Sequence, residues 1–401
     1  MSHPGLALTR PYPFARLRKL FAGIEPAAGK LAPISLGIGE PRHPLPECIR
    51  RAVEYNIGAM SHYPTTGGTP ALKQAVAGWC LRRYGTTLNP DTQILPCLGS
   101  REALFCFVQS HVDTTRAGGK PVVVIPSPFY QIYEGAAFMA GAEPVYLPLT
   151  RENNFEIDLS ELDEATLART QIVFVCSPGN PTGKVVTLEG WKRLFEASAK
   201  YGFVIASDEC YSEIYLEEGK APLGALTAAK MLGLENFKNL IVFQSLSKRS
   251  NAPGMRSGFM AGDASLIKDL LLYRTYHGSA MNPMVQAASI AAWNDEEHVI
   301  ENRRLYKEKF AAAQPVINSV IDAPQTEASF YLWAKLPGSD EDFARDLYAA
   351  KGVTVLPGSY LSRPCAGGLN PGAGFVRIAL VAEPAEVLEA AHRIADFCGQ
   401  H

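Results

Sequence analysis

The chain has 401 residues, of which 47% are apolar and 19% charged, proportions that are ordinary for a soluble globular protein. Its 38 lysines and arginines are balanced by 40 acidic residues, so no nucleic-acid-binding surface is indicated. No apolar run reaches the roughly 20 residues of a membrane span, and the first 21 residues lack the apolar core of a signal peptide. The eight cysteines include no Cys-x-x-Cys pair, which predicts free thiols in a reducing cytoplasm, without disulfides or a metal site.

The N-terminal segment is a proline-punctuated arm over residues 1–30, with a basic amphipathic piece at 14–21. This pattern predicts a helix that docks on its own domain or on a partner subunit. An apolar run at 34–38 follows, and the chain then turns at Gly39-Glu40-Pro41.

Strand-like and helical stretches alternate through the central part of the chain. The strand-like runs lie at 94–98, 122–126, 145–147, 172–176, 203–207, 240–243 and 259–261. The helical stretches lie at 48–55, 70–84, 101–111, 130–140, 188–201 and 264–276. Such alternation predicts an α/β domain on a mainly parallel, seven-stranded sheet.

The character of the sequence changes after Pro283. Helices are predicted at 284–292, 296–321 and 383–398, and strands at 329–334, 353–356 and 375–380. This mixture predicts a second, smaller α+β domain. We therefore expect the N-terminal arm and part of the small domain at 1–45, a large domain at 46–285 and a small C-terminal domain at 286–401.

Polar and aromatic residues follow five of the predicted strands directly. These loops begin at Gly99, Ser127, Ser177, Asp208 and Ser245. Because ligands of parallel sheets bind beyond the carboxyl ends of the strands, the five loops should converge on one site. The phosphate-binding patterns Gly-x-Gly-x-x-Gly and Gly-x4-Gly-Lys-Ser/Thr do not occur, which argues against dinucleotides and nucleoside triphosphates.

Lys248 is the most informative residue of these loops, because it follows a buried strand and stands among serines and glycines. The nearby Arg249 and Arg256 would lower its pKa, and a neutral buried amine is a nucleophile. Arg256 and the hydroxyls of Ser245 and Ser247 would hold a phosphate beside it, which suggests pyridoxal phosphate. The Ser-x-x-Lys pattern of serine hydrolases also fits, but its companions Ser-Asp-Asn and Lys-Thr-Gly do not occur.

Five elements together resemble the fold-type I pyridoxal-phosphate aminotransferases of class I and II in order and spacing. They are Asn180, Asp208-x-x-Tyr211, Ser245-x-Ser247-Lys248, Arg256-x-Gly258 and Arg377. The motifs at 128–135, 176–183, 207–215, 245–251 and 274–281 resemble the proteobacterial N-succinyldiaminopimelate aminotransferase branch. The resemblance covers nearly the whole chain and implies pyridoxal 5'-phosphate as the cofactor.

The resemblance implies a role for each site residue. Lys248 should carry the cofactor and move the substrate proton, Asp208 should pair with the pyridine nitrogen, and Tyr211 and Asn180 should bind the cofactor phenolate. Arg377 and Gly39, with Asn180, should bind the substrate α-carboxylate. The remaining cofactor contacts should come from Tyr130 on the ring, from Ser100, Arg101, Ser245, Ser247 and Arg256 on the phosphate, and from Tyr63 of a neighbouring subunit.

The implied function is transfer of the amino group of glutamate, leaving 2-oxoglutarate, to make N-succinyl-diaminopimelate in lysine biosynthesis. The implied assembly is a cytoplasmic homodimer with a shared site. The second substrate anion should meet a further cation, for which Arg42 is the first candidate and Arg18, Lys19 and Arg101 are others.

Alternatives within the fold are another class I aminotransferase, for aspartate or aromatic donors, or a C–S β-lyase that releases pyruvate and ammonia without a keto acid. A regulator of the same fold that binds ligand or DNA is the non-catalytic alternative. We expect such a regulator to carry an added winged helix, for which 401 residues leave no room.

Overall fold

A computed structural model describes residues 3–234 and 236–399. The described helices are α1 Pro13–Leu20, α2 Glu47–Tyr55, α3 Pro70–Tyr84, α4 Ser100–His111, α5 Ile132–Met139, α6 Glu164–Arg169, α7 Leu188–Tyr201, α8 Ala225–Met231, α9 Leu246–Arg249, α10 Ala264–His277, α11 Pro283–Asn294, α12 Glu297–Asn318, α13 Asp340–Lys351 and α14 Pro384–Gly399. The described strands are β1 Ile34–Ser35, β2 Ile94–Cys97, β3 Val122–Ser127, β4 Glu143–Pro148, β5 Thr170–Cys176, β6 Val204–Asp208, β7 Leu240–Ser245, β8 Gly258–Gly262, β9 Tyr331–Lys335, β10 Val353–Thr354, β11 Leu356–Pro357 and β12 Phe375–Ala379.

The central feature of the fold is a seven-stranded sheet in the order β2-β8-β7-β6-β5-β3-β4. Strands β3 to β7 run parallel, and β8 is antiparallel to both of its neighbours. Apolar clusters cover both faces, which is why the strands read as continuous apolar runs rather than alternating ones. The predicted α/β class with a mainly parallel seven-stranded sheet is confirmed.

Helix boundaries follow local signals where those signals are strong. Thr187 caps α7 by accepting from the Gly190 amide, and Gly202 ends the helix at φ 79°, which a residue with a side chain rarely adopts. The predicted helix at 188–201 therefore matches the structure. Helix α13 was not predicted, because its core face is small and only Asp340, Ala344 and Leu347 are buried.

A second layer lies around strands β9, β11 and β12, which form an antiparallel sheet. The predicted strand at 353–356 is two strands in the structure: β10 pairs with β1, and β11 pairs with β12. Pairing of Ile34 with Val353 joins the N-terminal segment to this C-terminal part. The three domain boundaries remain a prediction, and residues 1, 2, 400 and 401 of the predicted ends lie outside the described residues.

The described helices include none that is long and apolar enough to cross a membrane. All eight cysteines lie in the described part of the chain, and none of them forms a disulfide.

Candidate active site

The carboxyl ends of the parallel strands open into a cavity of about 420 Å³. Twelve of the fourteen predicted site residues line it: Gly39, Ser100, Arg101, Tyr130, Asn180, Asp208, Tyr211, Ser245, Ser247, Lys248, Arg256 and Arg377. The five loops predicted to converge do so, because parallel strands deliver their carboxyl ends to one edge of the sheet.

Lys248 lies on α9, the short helix that follows β7. The Ser245 hydroxyl caps this helix by accepting from the Ser247 amide at 3.1 Å. The Lys248 Nζ atom donates to the Gly39 carbonyl at 2.5 Å. Burial, together with the charges of Arg377 and Arg256, lowers the pKa of Lys248 to about 8. The side chain is therefore suited to act as a nucleophile and as a base near neutral pH.

Arg249 was expected to be one of the cations acting on Lys248, but its side chain points elsewhere. Its guanidinium donates to the Ala292 carbonyl at 2.7 Å and pairs with Glu296 at 3.1 Å. The cations that do lower the pKa of Lys248 are Arg377 and Arg256.

Gly39 is required by the close approach of Tyr331. A β-carbon at position 39 would lie 1.9 Å from the Tyr331 hydroxyl, so any side chain would displace that ring. The Tyr331 hydroxyl is also 2.9 Å from the Tyr211 hydroxyl. Sequence reasoning missed Tyr331, because an aromatic residue in an apolar strand is indistinguishable from a core residue.

Asp208 ends β6 and lies at the bottom of the cavity. Its Oδ2 atom accepts from the Tyr133 hydroxyl at 2.7 Å, and its Oδ1 atom accepts from the Cys210 amide at 3.3 Å. Burial raises the pKa of Asp208, although these hydrogen bonds oppose the shift. No ion pair to Asp208 is present among the described residues, so the carboxylate is free to pair with a cationic ring nitrogen. Tyr133 was not singled out from the sequence.

Arg377 projects from β12 and is only 4% exposed. Its Nη1 atom donates to the Asn180 side-chain oxygen at 3.0 Å, and its Nη2 atom donates to the Gly37 carbonyl at 2.9 Å. Its Nε atom is buried and has no partner in the described part of the chain. The guanidinium lies over the Tyr331 ring at 4.3 Å. A buried guanidinium with an unused donor fits a substrate carboxylate.

The other end of the cavity has the features of a phosphate site. Ser100 begins the twelve-residue helix α4, and the first amides of a helix attract anions. Gly99 precedes it at φ 80°, and a β-carbon there would lie 2.4 Å from Arg256 Nη2. The Ser245 and Ser247 hydroxyls are 2.9 Å apart and line the same cavity. These groups fit the phosphate of pyridoxal phosphate, as Lys248 and Asp208 fit its aldehyde and ring nitrogen.

The cavity mouth is formed in part by the N-terminal arm. Tyr12 and Phe14 line it, and the amphipathic piece predicted at 14–21 is α1. Arg101 donates through Nε to the Tyr130 hydroxyl at 2.7 Å, and its guanidinium lies 5.9 Å from the Tyr12 ring centroid. Arg101 is solvent-exposed and has no carboxylate partner among the described ion pairs.

Two predicted site residues do not line this cavity. Arg42 follows Pro41 away from it and pairs with Glu386 of α14 at 3.6 Å. Tyr63 is fully exposed in the single chain. Contact of Tyr63 with a neighbouring subunit's cofactor therefore stays a prediction.

Two side-chain groups in the described residues have metal-ligand atoms within 4.8 Å of one another, Cys48/Asp295/His298 and Glu102/Cys106/His277. Hydrogen bonds account for both arrangements. Asp295 Oδ1 accepts from the amide and the ring of His298, and Glu102 accepts two hydrogen bonds from Arg274.

The sequence profile described as aminotransferase class I and II matches residues 32–394. The chain therefore belongs to this family, and it is a pyridoxal-phosphate-dependent transaminase of fold type I. The resemblance drawn from the spacing of Asn180, Asp208, Lys248, Arg256 and Arg377 is confirmed at the level of the family.

Three relatives are informative. The LL-diaminopimelate aminotransferase of Desulforudis audaxviator is 32% identical over 97% of this chain and 96% of its own length. A crystal structure of an aminotransferase from Neisseria meningitidis has 50% identity and a TM-score of 0.94, over 99% of this chain and 100% of that one. A probable N-succinyldiaminopimelate aminotransferase from Thermus thermophilus has 25% identity and a TM-score of 0.84, over 96% and 99%.

Proposed function

We propose that this transaminase acts on N-succinyl-LL-diaminopimelate, with glutamate and 2-oxoglutarate as the second substrate pair. The carrying observation is that one cavity holds Lys248, the unpaired Arg377 donor and a second cation, Arg101, without a carboxylate partner among the described ion pairs. A substrate with carboxylates at both ends suits two separated guanidinium groups. Relatives named for diaminopimelate and for its N-succinyl form support this class of substrate.

Unacylated LL-diaminopimelate is the second candidate. Its distal end carries an ammonium group as well as a carboxylate. Glu40 lines the cavity beside Gly39 and would suit that ammonium group. The curated relatives named for LL-diaminopimelate, at 31–33% identity, support this alternative.

The proposed roles follow from the geometry. Pyridoxal phosphate supplies an electron-withdrawing ring that stabilises negative charge on the substrate α-carbon. Arg377 and Asn180 would orient the α-carboxylate, Lys248 would remove the α-proton and return it two atoms away, beyond the amino nitrogen, and Asp208 would keep the ring nitrogen protonated. Glutamate gives up its amino group and leaves as 2-oxoglutarate, and the acceptor ketone or aldehyde takes that amino group.

We further propose that the enzyme is a homodimer with a shared site. Tyr63 is one of four exposed apolar residues in the segment 55–63, with Tyr55, Ile57 and Met60. Exposed apolar residues clustered in this way are typical of a subunit interface. Sedimentation should show a dimer at micromolar concentration, and a fully active monomer would remove Tyr63 from the site. The cytoplasmic location stays a prediction, which fractionation of the producing cell would test.

A half-reaction screen tests the substrate directly. The cofactor-loaded enzyme is mixed with single amino acids, and bleaching of its visible band is followed without any keto acid. We expect bleaching by glutamate and N-succinyl-LL-diaminopimelate. Faster bleaching by LL-diaminopimelate would select the second candidate. Reaction only with aspartate or aromatic donors would exclude both, and release of pyruvate and ammonia from cystine would indicate a β-lyase.

A further inference from the structure

Three buried side chains behind the cavity, Asn302, His43 and Lys309, form a hydrogen-bonded network that we call the relay. None of them is among the site residues assigned above. Asn302 and Lys309 occupy one face of α12, and His43 lies against them. Asn302 Nδ2 contacts the Lys248 carbonyl at 3.2 Å and the Arg249 carbonyl at 3.3 Å. Its Oδ1 atom is 2.7 Å from His43 Nδ1, and His43 Nε2 is 2.7 Å from Lys309 Nζ.

The contacts fix the direction of every hydrogen bond in the relay. Only the amide NH₂ of Asn302 can donate to two carbonyls, so its oxygen faces His43 and accepts. His43 must then carry its proton on Nδ1 and accept from Lys309 on Nε2. Burial lowers the pKa of His43, which is consistent with a neutral ring. Donors therefore point from Lys309 towards Lys248 throughout.

Asn302, at one end of the relay, donates to backbone carbonyls at the C-terminus of helix α9. Helix α9 has four residues, and the carbonyls of its last turn have no partner within the helix. Asn302 supplies donors to two of them, Lys248 and Arg249. Four residues before His43, the Gly39 carbonyl accepts from Lys248 Nζ. The loop from Gly39 to His43 is thus linked to Lys248 at both the main chain and the side chain.

Burial of the Lys309 side chain is unfavourable for the stability of the fold. This lysine is 1% exposed, and no ion pair to it occurs in the described part of the chain. Within the described residues, its one other hydrogen bond goes to the Val381 carbonyl at 3.2 Å. Burial lowers the pKa of Lys309 to about 8. Proteins with an apolar residue of similar volume at such a position are often equally stable, so stability alone does not explain a lysine here.

We propose that Lys309, His43 and Asn302 are positioning residues that together hold the catalytic lysine, Lys248, in register with the substrate-binding loop at Gly39. The relay links Lys248 to α12 and to Val381, so the C-terminal part of the chain fixes the orientation of the lysine. This proposal rests on the proposed role of Lys248, and it adds residues that touch neither substrate nor cofactor.

Three variants interrupt the relay at different places. Lys309→Met removes the first donor and keeps an unbranched, slightly shorter side chain, and His43→Phe keeps a ring against Tyr306, whose centroid is 4.5 Å away. Asn302→Asp keeps the acceptor for His43 but loses the donors to the α9 carbonyls. We expect kcat per cofactor-loaded site to fall about 10- to 100-fold in each, as for a small misplacement of a reacting group, with KM changed less than about threefold.

A second readout does not depend on the activity of the loaded enzyme. The rate at which cofactor-free protein takes up pyridoxal phosphate covalently should fall by a similar factor, because it depends on the orientation of the same amine. In uptake rate and in kcat, the double variant His43→Phe/Lys309→Met should be no slower than its slower parent, since both changes interrupt the same relay.

Tyr306→Phe is the matched control. The Tyr306 hydroxyl is buried and has no hydrogen-bond partner among the described residues, so its loss leaves the relay intact. This variant should retain kcat and the uptake rate within about twofold. An equal loss in Tyr306→Phe, wild-type values in Lys309→Met and His43→Phe, or fully additive effects in the double variant would each overturn the proposal.

Borohydride reduction of the wild-type enzyme separates this proposal from the assignment of Lys248. Covalent cofactor on the peptide containing Lys248, with unaffected variants, overturns the relay alone. Covalent cofactor on another lysine overturns the assignment of Lys248 and removes the basis of the relay with it.

Discussion

The floor and the mouth of the cavity are built in different ways. The floor consists of Asn180, Asp208 and Lys248, which lie at or beyond the carboxyl ends of successive strands of one sheet and are held by hydrogen bonds. The mouth combines Tyr12 of the arm with the exposed Arg101 and Glu40, which come from separate segments. This difference suggests that the floor determines the reaction and the mouth determines the substrate. Changes in the floor should therefore affect every substrate, and changes in the mouth only some.

The largest effect is expected from Lys248→Ala. The variant loses the amine that moves the substrate proton, so turnover should fall by about 10⁴-fold or more with every amino donor. Cofactor binding should persist through Arg256 and the helix α4 amides, as measured by equilibrium dialysis. A residual rate above a few per cent of wild type for any donor would contradict a common role for the floor.

The floor was predictable from the sequence because its residues obey a local rule. Polar residues directly after buried strands meet at one sheet edge, and the spacing from Asp208 to Lys248 and Arg256 is contained in the chain itself. Tyr133 and Tyr331 were missed because only tertiary contacts distinguish them from core aromatic residues.

The mouth was less predictable because proximity along the chain is a poor guide there. Arg42 lies three residues after Gly39 and was expected at the entrance, but the chain beyond Pro41 carries it to Glu386. Tyr12 reaches the cavity from a proline-rich arm without any periodic signal.

The second prediction uses the lowered pKa of Lys248, which burial brings to about 8. The neutral amine reacts, so covalent labelling of cofactor-free enzyme by a small aldehyde should rise about tenfold per pH unit below pH 8 and level off above it. The total change from pH 6 to pH 8 is about fiftyfold, because the amine is about half neutral at pH 8. Labelling of an isolated lysine peptide, whose amine has a pKa near 10.4, should continue to rise beyond pH 9. Borohydride trapping and peptide mapping measure both, and a rise that continues to pH 10 at Lys248 would contradict a desolvated amine.

Arg377→Lys should have the third largest effect. The charge remains but the paired donors are lost, so binding of every amino donor and keto acceptor should weaken by about 2 kcal/mol or more, roughly 30-fold. Steady-state kcat/KM for glutamate, 2-oxoglutarate and the diaminopimelate substrate measures the loss. Pyridoxal phosphate affinity is the control and should change little. A loss confined to donors or to acceptors would show that Arg377 is not a common site.

The smallest effect is expected at the mouth, from Arg101→Ala. Arg101 is solvent-exposed, so an ion pair with the succinyl carboxylate contributes about 1 kcal/mol, and at most about 2 kcal/mol. The value of kcat/KM for N-succinyl-LL-diaminopimelate should therefore fall several-fold to about 30-fold relative to that for LL-diaminopimelate, which differs only in the acyl group.

Arg42→Ala is the matched control, because it removes the same charge at a position paired with Glu386 outside the cavity. It should leave the ratio of the two kcat/KM values unchanged, with pyridoxal phosphate kept at saturation for both variants. A selective loss in Arg42→Ala instead would return the succinyl contact to the residue that the sequence first suggested. An equal loss for both substrates in Arg101→Ala would place this arginine with the floor, acting on the phosphate and the Tyr130 hydroxyl rather than on the substrate.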